Sequence, residues 1–159
     1  MNASYTKTSL ARALSRTAAV AAFVCLLPLA HASTRWATLE AIHQLENPTD
    51  SRRPGPFGEL GAYQFRASVW HKYTHVPFSR ALDRATSDQI AVLHYEWLKG
   101  ELARAGVEPS TYNIALAWNG GVNAAEHDRS PHCARDYAER ASTLADHYDK
   151  ISSTRLALE

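Results

Sequence analysis

Residues 41–70, AIHQLENPTDSRRPGPFGELGAYQFRASVW, put one carboxylate where it could do acid–base chemistry. Trp36, Leu39, Ile42 or His43, and Glu46 recur at three- and four-residue spacing, the mark of one helical face, with Glu46 on its last turn. The segment from Asn47 to Gly58 holds three prolines and two glycines, so the helix must end there and a loop must follow. Glu46 is therefore expected at the mouth of a cleft. A carboxylate set against apolar and aromatic groups loses hydration. That raises its pKa and makes it a general acid near neutral pH. The competing reading of the same position is an ordinary solvated glutamate at a helix end.

Other reactive side chains carry less. His71 and His75 stand four apart, but a zinc site needs a third ligand and an oriented second shell. No HExxH or paired-cysteine motif accompanies them, and His127, His132 and Cys133 form no metal spacing, so these read as ordinary histidines and no metal is expected. No phosphate-binding glycine loop is present, and no cofactor is implied. Arg52 and Arg53 are expected on the loop surface, where they either meet carboxylates of a substrate or simply face water.

The elements that must position Glu46 are helical. Gly58 to Phe65 is too glycine-rich for a helix interior and is expected to form a turn or short hairpin. Residues 66–74 read as a short helix carrying Val69, Trp70 and Tyr73. Thr86 or Ser87 is expected to cap a helix to Ala105 closed by Gly106, with Ile90, Leu93, Trp97 and Glu101 on one face and Leu98 and Leu102 beside it. Glu96 and Glu101 are read as its solvated acids. Ser110 caps a helix ending at Asn119-Gly120-Gly121. Ser130-Pro131 is expected to open the last helix, with Tyr137, Ala141, Leu144 and Tyr148 inward. Residues from Asp149 onward read as a frayed tail. Strands are scarce, so the fold class is mainly α, with helices around a groove and little or no sheet.

Length and charge narrow the function. The chain has 159 residues, room for one domain with a real core but not two. Lys7, Arg12 and Arg16, then the apolar Ala18–Ala30, then Ala30-His31-Ala32 form the three regions of a cleavable export signal. The apolar run is shorter than the about 20 residues of a membrane span, although a retained N-terminal anchor is the competing reading. Residues 1–32 are thus expected to be a signal peptide, 33–150 the domain and 151–159 a tail, with the product periplasmic or extracellular. The whole chain has 17 Lys+Arg against 16 Asp+Glu. The first 32 residues contain three of the bases and no acid, which leaves 14 bases, 16 acids and a net charge of −2. That disfavours nucleic acid, which needs a basic surface. Cys25 falls in the signal, so Cys133 has no intrachain partner; it is expected to be a small buried residue, with an intermolecular disulfide as the alternative.

The order E-N at 46–47, G-x-x-G-A-Y-Q-F at 58–65, A-L-A-W-N-G-G at 115–121 and R-D-Y-A at 135–138 resembles the lysozyme-like lytic transglycosylase domain over about residues 36–148. The resemblance implies a lysozyme-like helical fold around a glycan-binding cleft, and peptidoglycan or a related N-acetylated glycan as partner. It implies Glu46 as the catalytic acid, and Tyr63, Gln64, Trp118, Asn119 and Tyr137 as substrate-cleft residues, with Tyr137 hydrogen-bonding the acid. Asn47 stands where the family usually has Ser, Tyr63 where Met is common, and Trp118 where Tyr is common. For Tyr63 and Tyr137 the alternative is a core tyrosine, and for Asn119 a plain helix cap. The implied reaction cleaves the MurNAc–GlcNAc β-1,4 bond with one Glu serving both proton transfers, giving a 1,6-anhydro end. A lysozyme- or chitinase-like hydrolase with Asp50 or Glu59 as second carboxylate is one alternative. A catalytically inactive glycan-binding or scaffold protein is the other.

Overall fold

A computed structural model describes residues 35–127 and 130–156. The expected export signal over 1–32, Cys25 within it and residues 157–159 lie outside them. The described chain is mainly α: α1 (35–46), α2 (Ala67–Trp70), a 3-10 turn (Phe78–Leu82), α3 (Arg84–Arg104), α4 (Thr111–Gly120), α5 (Val122–Glu126) and α6 (His132–Leu156). Among the described residues the β structure is a single antiparallel bridge, Leu60 to Phe65. No described helix is long and apolar enough to cross a membrane.

Local chemistry accounts for the helix ends, with two changes from expectation. Asp83, not Thr86 or Ser87, caps α3: its carboxylate accepts from the Thr86 amide at 2.9 Å, so the helix starts at Arg84. Both residue types can cap, and the chain turns at Asp83 because its backbone is extended while Arg84 is already helical. At the other end the Val107 amide reaches the Leu102 carbonyl and the Gly106 amide reaches Ala103. This paired closure requires the left-handed φ of +74° at Gly106. Ser110 caps α4 through the Asn113 amide, as its sequence position predicts. The Ser130 hydroxyl, by contrast, is buried without a partner among the described residues. It does not cap α6; the Pro131 carbonyl takes the Ala134 and Arg135 amides instead. Nor does the chain fray at Asp149, since α6 continues to Leu156.

The faces that pack are partly unexpected. Around Trp70, which is fully buried, the main core gathers Ile42, Phe65, Leu98, Leu102 and Ile114. On α3 the buried side is Ile90, Ala91, His94, Tyr95, Leu98 and Leu102, whereas Leu93 and Trp97 stay exposed. Trp36 is also exposed and sets its edge against Tyr148. The inward face of α6 is an alanine stripe, Ala134, Ala138, Ala141 and Ala145, with Tyr137, Leu144 and Tyr148 at its margins. Small side chains let helices approach closely: a Cβ added at Gly120 of α4 would sit 3.2 Å from that of Ala134. Cys133 lies one residue round from this stripe and is exposed, not buried.

Candidate active site

Glu46 is the last residue of α1, and Asn47 makes the chain turn there. The buried Asn47 amide donates to the carbonyls of Ser51 at 3.0 Å and Gly61 at 3.1 Å, and it accepts from the Ser51 amide at 2.8 Å. One side chain thereby closes the loop after α1 and ties it to the hairpin. Asn at this position performs a three-bond structural task that a serine hydroxyl could not.

The hairpin forms the next wall. Leu60 and Phe65 exchange two backbone hydrogen bonds of 3.0 Å, with Gly61 (φ +80°) and Gln64 (φ +45°) making the reversal. A Cβ at Gly61 would lie 1.8 Å from the Ala81 carbonyl oxygen, so this backbone presses directly on the 3-10 turn. The Gln64 amide donates back to the Gly61 carbonyl at 3.0 Å. Gly55 leaves room beside the Gln64 and Glu59 side chains, whose oxygens a Cβ there would meet at 2.6 and 2.7 Å.

These walls and the end of α4 border a cleft of about 630 Å³, a size suited to a small ligand. Glu46, Tyr63, Gln64, Trp118 and Asn119 all border it. Tyr137 stands behind Glu46 and donates a 2.9 Å hydrogen bond to Oε1. The floor is aromatic: Trp118 lies 4.6 Å from His94, 5.7 Å from Phe65 and 6.0 Å from Tyr63 between ring centroids. Burial pushes the Glu46 carboxyl up to about 7; the Tyr137 hydrogen bond works against this and the Glu59 charge adds to it. Burial next to this carboxylate holds the Tyr137 phenol well above its ordinary value, so it stays a donor.

Tyr63 combines the two positions expected of it, cleft border and core. Its ring borders the cleft, but it is 3 % exposed and its hydroxyl donates to Asp88 Oδ1 at 2.7 Å, with the Arg84 guanidinium over the ring. The hydroxyl is occupied and Tyr63 serves as wall, not as a hydrogen-bonding contact. Asn119 is exposed at the cleft edge. Asp50 points elsewhere, pairing with His43 at 3.0 Å in a smaller pocket with Asn47, Arg52 and Arg84.

Glu59 does reach the cleft. Its carboxylate accepts from Arg66 Nε at 3.1 Å and from the Phe57 amide at 2.8 Å. Burial opposes ionisation, but these bonds, one from its own amide and the Arg66 charge together hold it below the usual carboxylate range. Two carboxyls in one cleft are thus driven in opposite directions, the pattern that separates a proton donor from an anion. Arg66 also lies over the exposed Phe57 ring, 5.2 Å from its centroid, so Glu59 organises the rim. Sequence reasoning did not single out Phe57, Arg66 or His94. For His94 the signal was present: it stands three residues before Trp97 and four after Ile90 on an otherwise apolar helix face. Among the described residues no group of three or more His, Cys, Asp or Glu could hold a metal ion. Comparison with protein-family models, with curated proteins and with solved structures finds no match to this chain.

Proposed function

We propose that this protein is an exported enzyme that cleaves N-acetylated glycan, with peptidoglycan as substrate and Glu46 as the general acid. The observation that carries the reading is the Glu46 environment. A carboxyl bordering a sugar-sized cleft, pushed up to about 7 and held by the Tyr137 hydroxyl, carries a proton at near-neutral pH and can give it away.

In the lytic transglycosylase reaction Glu46 gives its proton to the oxygen bridging MurNAc and GlcNAc as the C1–O bond breaks. The GlcNAc end leaves as an alcohol. The Glu46 carboxylate then takes the proton of the muramic C6 hydroxyl while that oxygen bonds to C1, and the acid is restored with no water consumed. Gln64 and Asn119 border the same cleft and are suited to sugar hydroxyl and acetamido groups, while Trp118 offers a face for stacking. Tyr137 fixes the carboxyl rotamer.

The Glu59 carboxylate favours a second reading, hydrolysis, in which it would activate water or stabilise positive charge at C1. Both of its oxygens already accept hydrogen bonds, which suits the rim role better. Digestion of purified sacculi with mass analysis of the products tests both: 1,6-anhydro ends support the transglycosylase, reducing ends the hydrolase. Sacculi left intact by wild-type protein would leave a glycan-binding protein without turnover.

A further inference from the structure

His94 is a buried titratable group for which the proton-transfer scheme has no use. It is 7 % exposed and borders the cleft, with its ring stacked on Trp97 (5.7 Å, 11° between planes) and tilted against Trp118 at 4.6 Å. Nδ1 lies 2.9 Å from the Tyr73 hydroxyl. Burial pushes that phenol up to about 12, with Glu101 adding to it, so it remains protonated. The contact serves either tautomer; a phenol that donates to Nδ1 places the ring proton on Nε2. Among the described residues Nε2 has no hydrogen-bond partner, yet the fully enclosed unsatisfied side-chain atoms are Ser87 Oγ and Ser130 Oγ. Nε2 therefore keeps solvent access, and His94 borders the cleft. In that tautomer His94 holds one unpaired N–H donor within an aromatic wall.

We propose that His94 and Trp118 form an acetamido subsite, in which Nε2–H donates to the carbonyl oxygen of an N-acetyl group while its methyl packs on the Trp118 ring. A site built to satisfy one polar atom inside apolar walls discriminates strongly against a ligand lacking that atom. The subsite would select N-acetylated over de-N-acetylated sugar. Burial and the nearby Lys72 ammonium hold the imidazole down to about 4, so this selection does not change across neutral pH. The inference rests on the cleft taking N-acetylated glycan.

The test uses Glu46→Gln protein, titrated with an N-acetylglucosamine tetramer and with its fully de-N-acetylated counterpart. The acetylated tetramer should bind better. Adding His94→Phe should weaken it about tenfold, the effect of one lost hydrogen bond, and leave the other ligand unaffected. His94→Gln, which restores a donor, should recover part of the loss. Independently, proton–nitrogen spectra of the imidazoles in Glu46→Gln should show the Nε2–H tautomer and a shift of that proton with the acetylated ligand. Should His94→Phe not fold, this spectrum decides. An Nδ1–H tautomer, or undiminished preference for the acetylated ligand in His94→Phe, overturns the subsite while leaving the glycan reading intact. Failure of Glu46→Gln to bind either tetramer, together with sacculi left intact by wild type, overturns both.

Discussion

Tyr137 Oη donates to Glu46 Oε1 at 2.9 Å across 91 residues of chain. The contact exists because α6 approaches on alanines, which brings a large phenol within reach of the end of α1. The first and last described helices thus meet at a carboxyl that is pushed well above its ordinary value. A donor to the ionised form stabilises it, so Tyr137 tempers the effect of burial.

Activity should depend on that proton. With Glu46 near 7, turnover on sacculi is expected to fall as pH rises through about 7, because the acid form is lost. Tyr137→Phe removes an interaction that lowers the Glu46 pKa, so this limb should move to higher pH, with a lower maximum from the freed rotamer. Rate–pH profiles of the two proteins check this. Glu46→Gln should lose about 10²-fold or more, as general acid catalysis contributes ~10²–10⁴-fold.

The same raised pKa has a stability consequence. In the unfolded chain Glu46 ionises near the ordinary value of 4.5, in the folded chain near 7. Below pH 4.5 both states hold the proton and the site costs nothing. Between 4.5 and 7 the unfolded chain releases its proton while the folded chain does not, so stability falls, reaching a plateau above 7. Glu46→Gln should therefore be more stable than wild type at pH 8, by at most about 3 kcal/mol, and equally stable at pH 4. Urea unfolding at the two pH values measures it. A constant difference across that range would contradict the assigned burial of Glu46.

How much of this was legible in the sequence depends on the physics involved. Helical periodicity and the Pro/Gly loop after Asn47 located Glu46 and the mainly α architecture, because both are local. Which face packs was less legible: Trp97 and Leu93 are more hydrophobic than Ala91, yet they lie outside. Alanine stripes are chosen for close approach, and hydrophobicity does not register that. The Glu59–Arg66–Phe57 rim depends on the register of a two-residue bridge, which no periodicity encodes. Asn47, read as a departure from a family pattern, turned out to be a clamp whose partners lie 4 and 14 residues away.

Two glycines of the same region should respond very differently to alanine. Gly61 and Gly58 share φ +80°, but a Cβ at Gly61 meets the Ala81 carbonyl at 1.8 Å while one at Gly58 meets nothing within 4 Å. Gly58→Ala should cost the left-handed backbone penalty, about 1–2 kcal/mol. Gly61→Ala must in addition push the hairpin off the 3-10 turn and is expected to cost more than about 3 kcal/mol, or to prevent folding. Denaturant midpoints of the two variants separate the cases.

Tyr63 supplies the sharpest test of where the cleft wall ends and the core begins. Its hydroxyl is directed to Asp88, which also accepts from Arg84 Nε at 2.7 Å. Removing the hydroxyl leaves Asp88 with a charged partner, so Tyr63→Phe should cost about 1 kcal/mol of stability. The ring still closes the cleft against Trp118 and Phe65, so turnover should stay within about twofold, since only a hydrogen bond outside the site is lost. Tyr63→Ala removes the ring and opens a cavity beside Glu46; it should lower both stability, by about 3–5 kcal/mol as for other large aromatic truncations, and the Glu46 pKa, as water enters. If Tyr63→Phe instead abolished turnover with stability unchanged, the phenol would have to reach substrate, and the hydroxyl would belong to the site and not to the core.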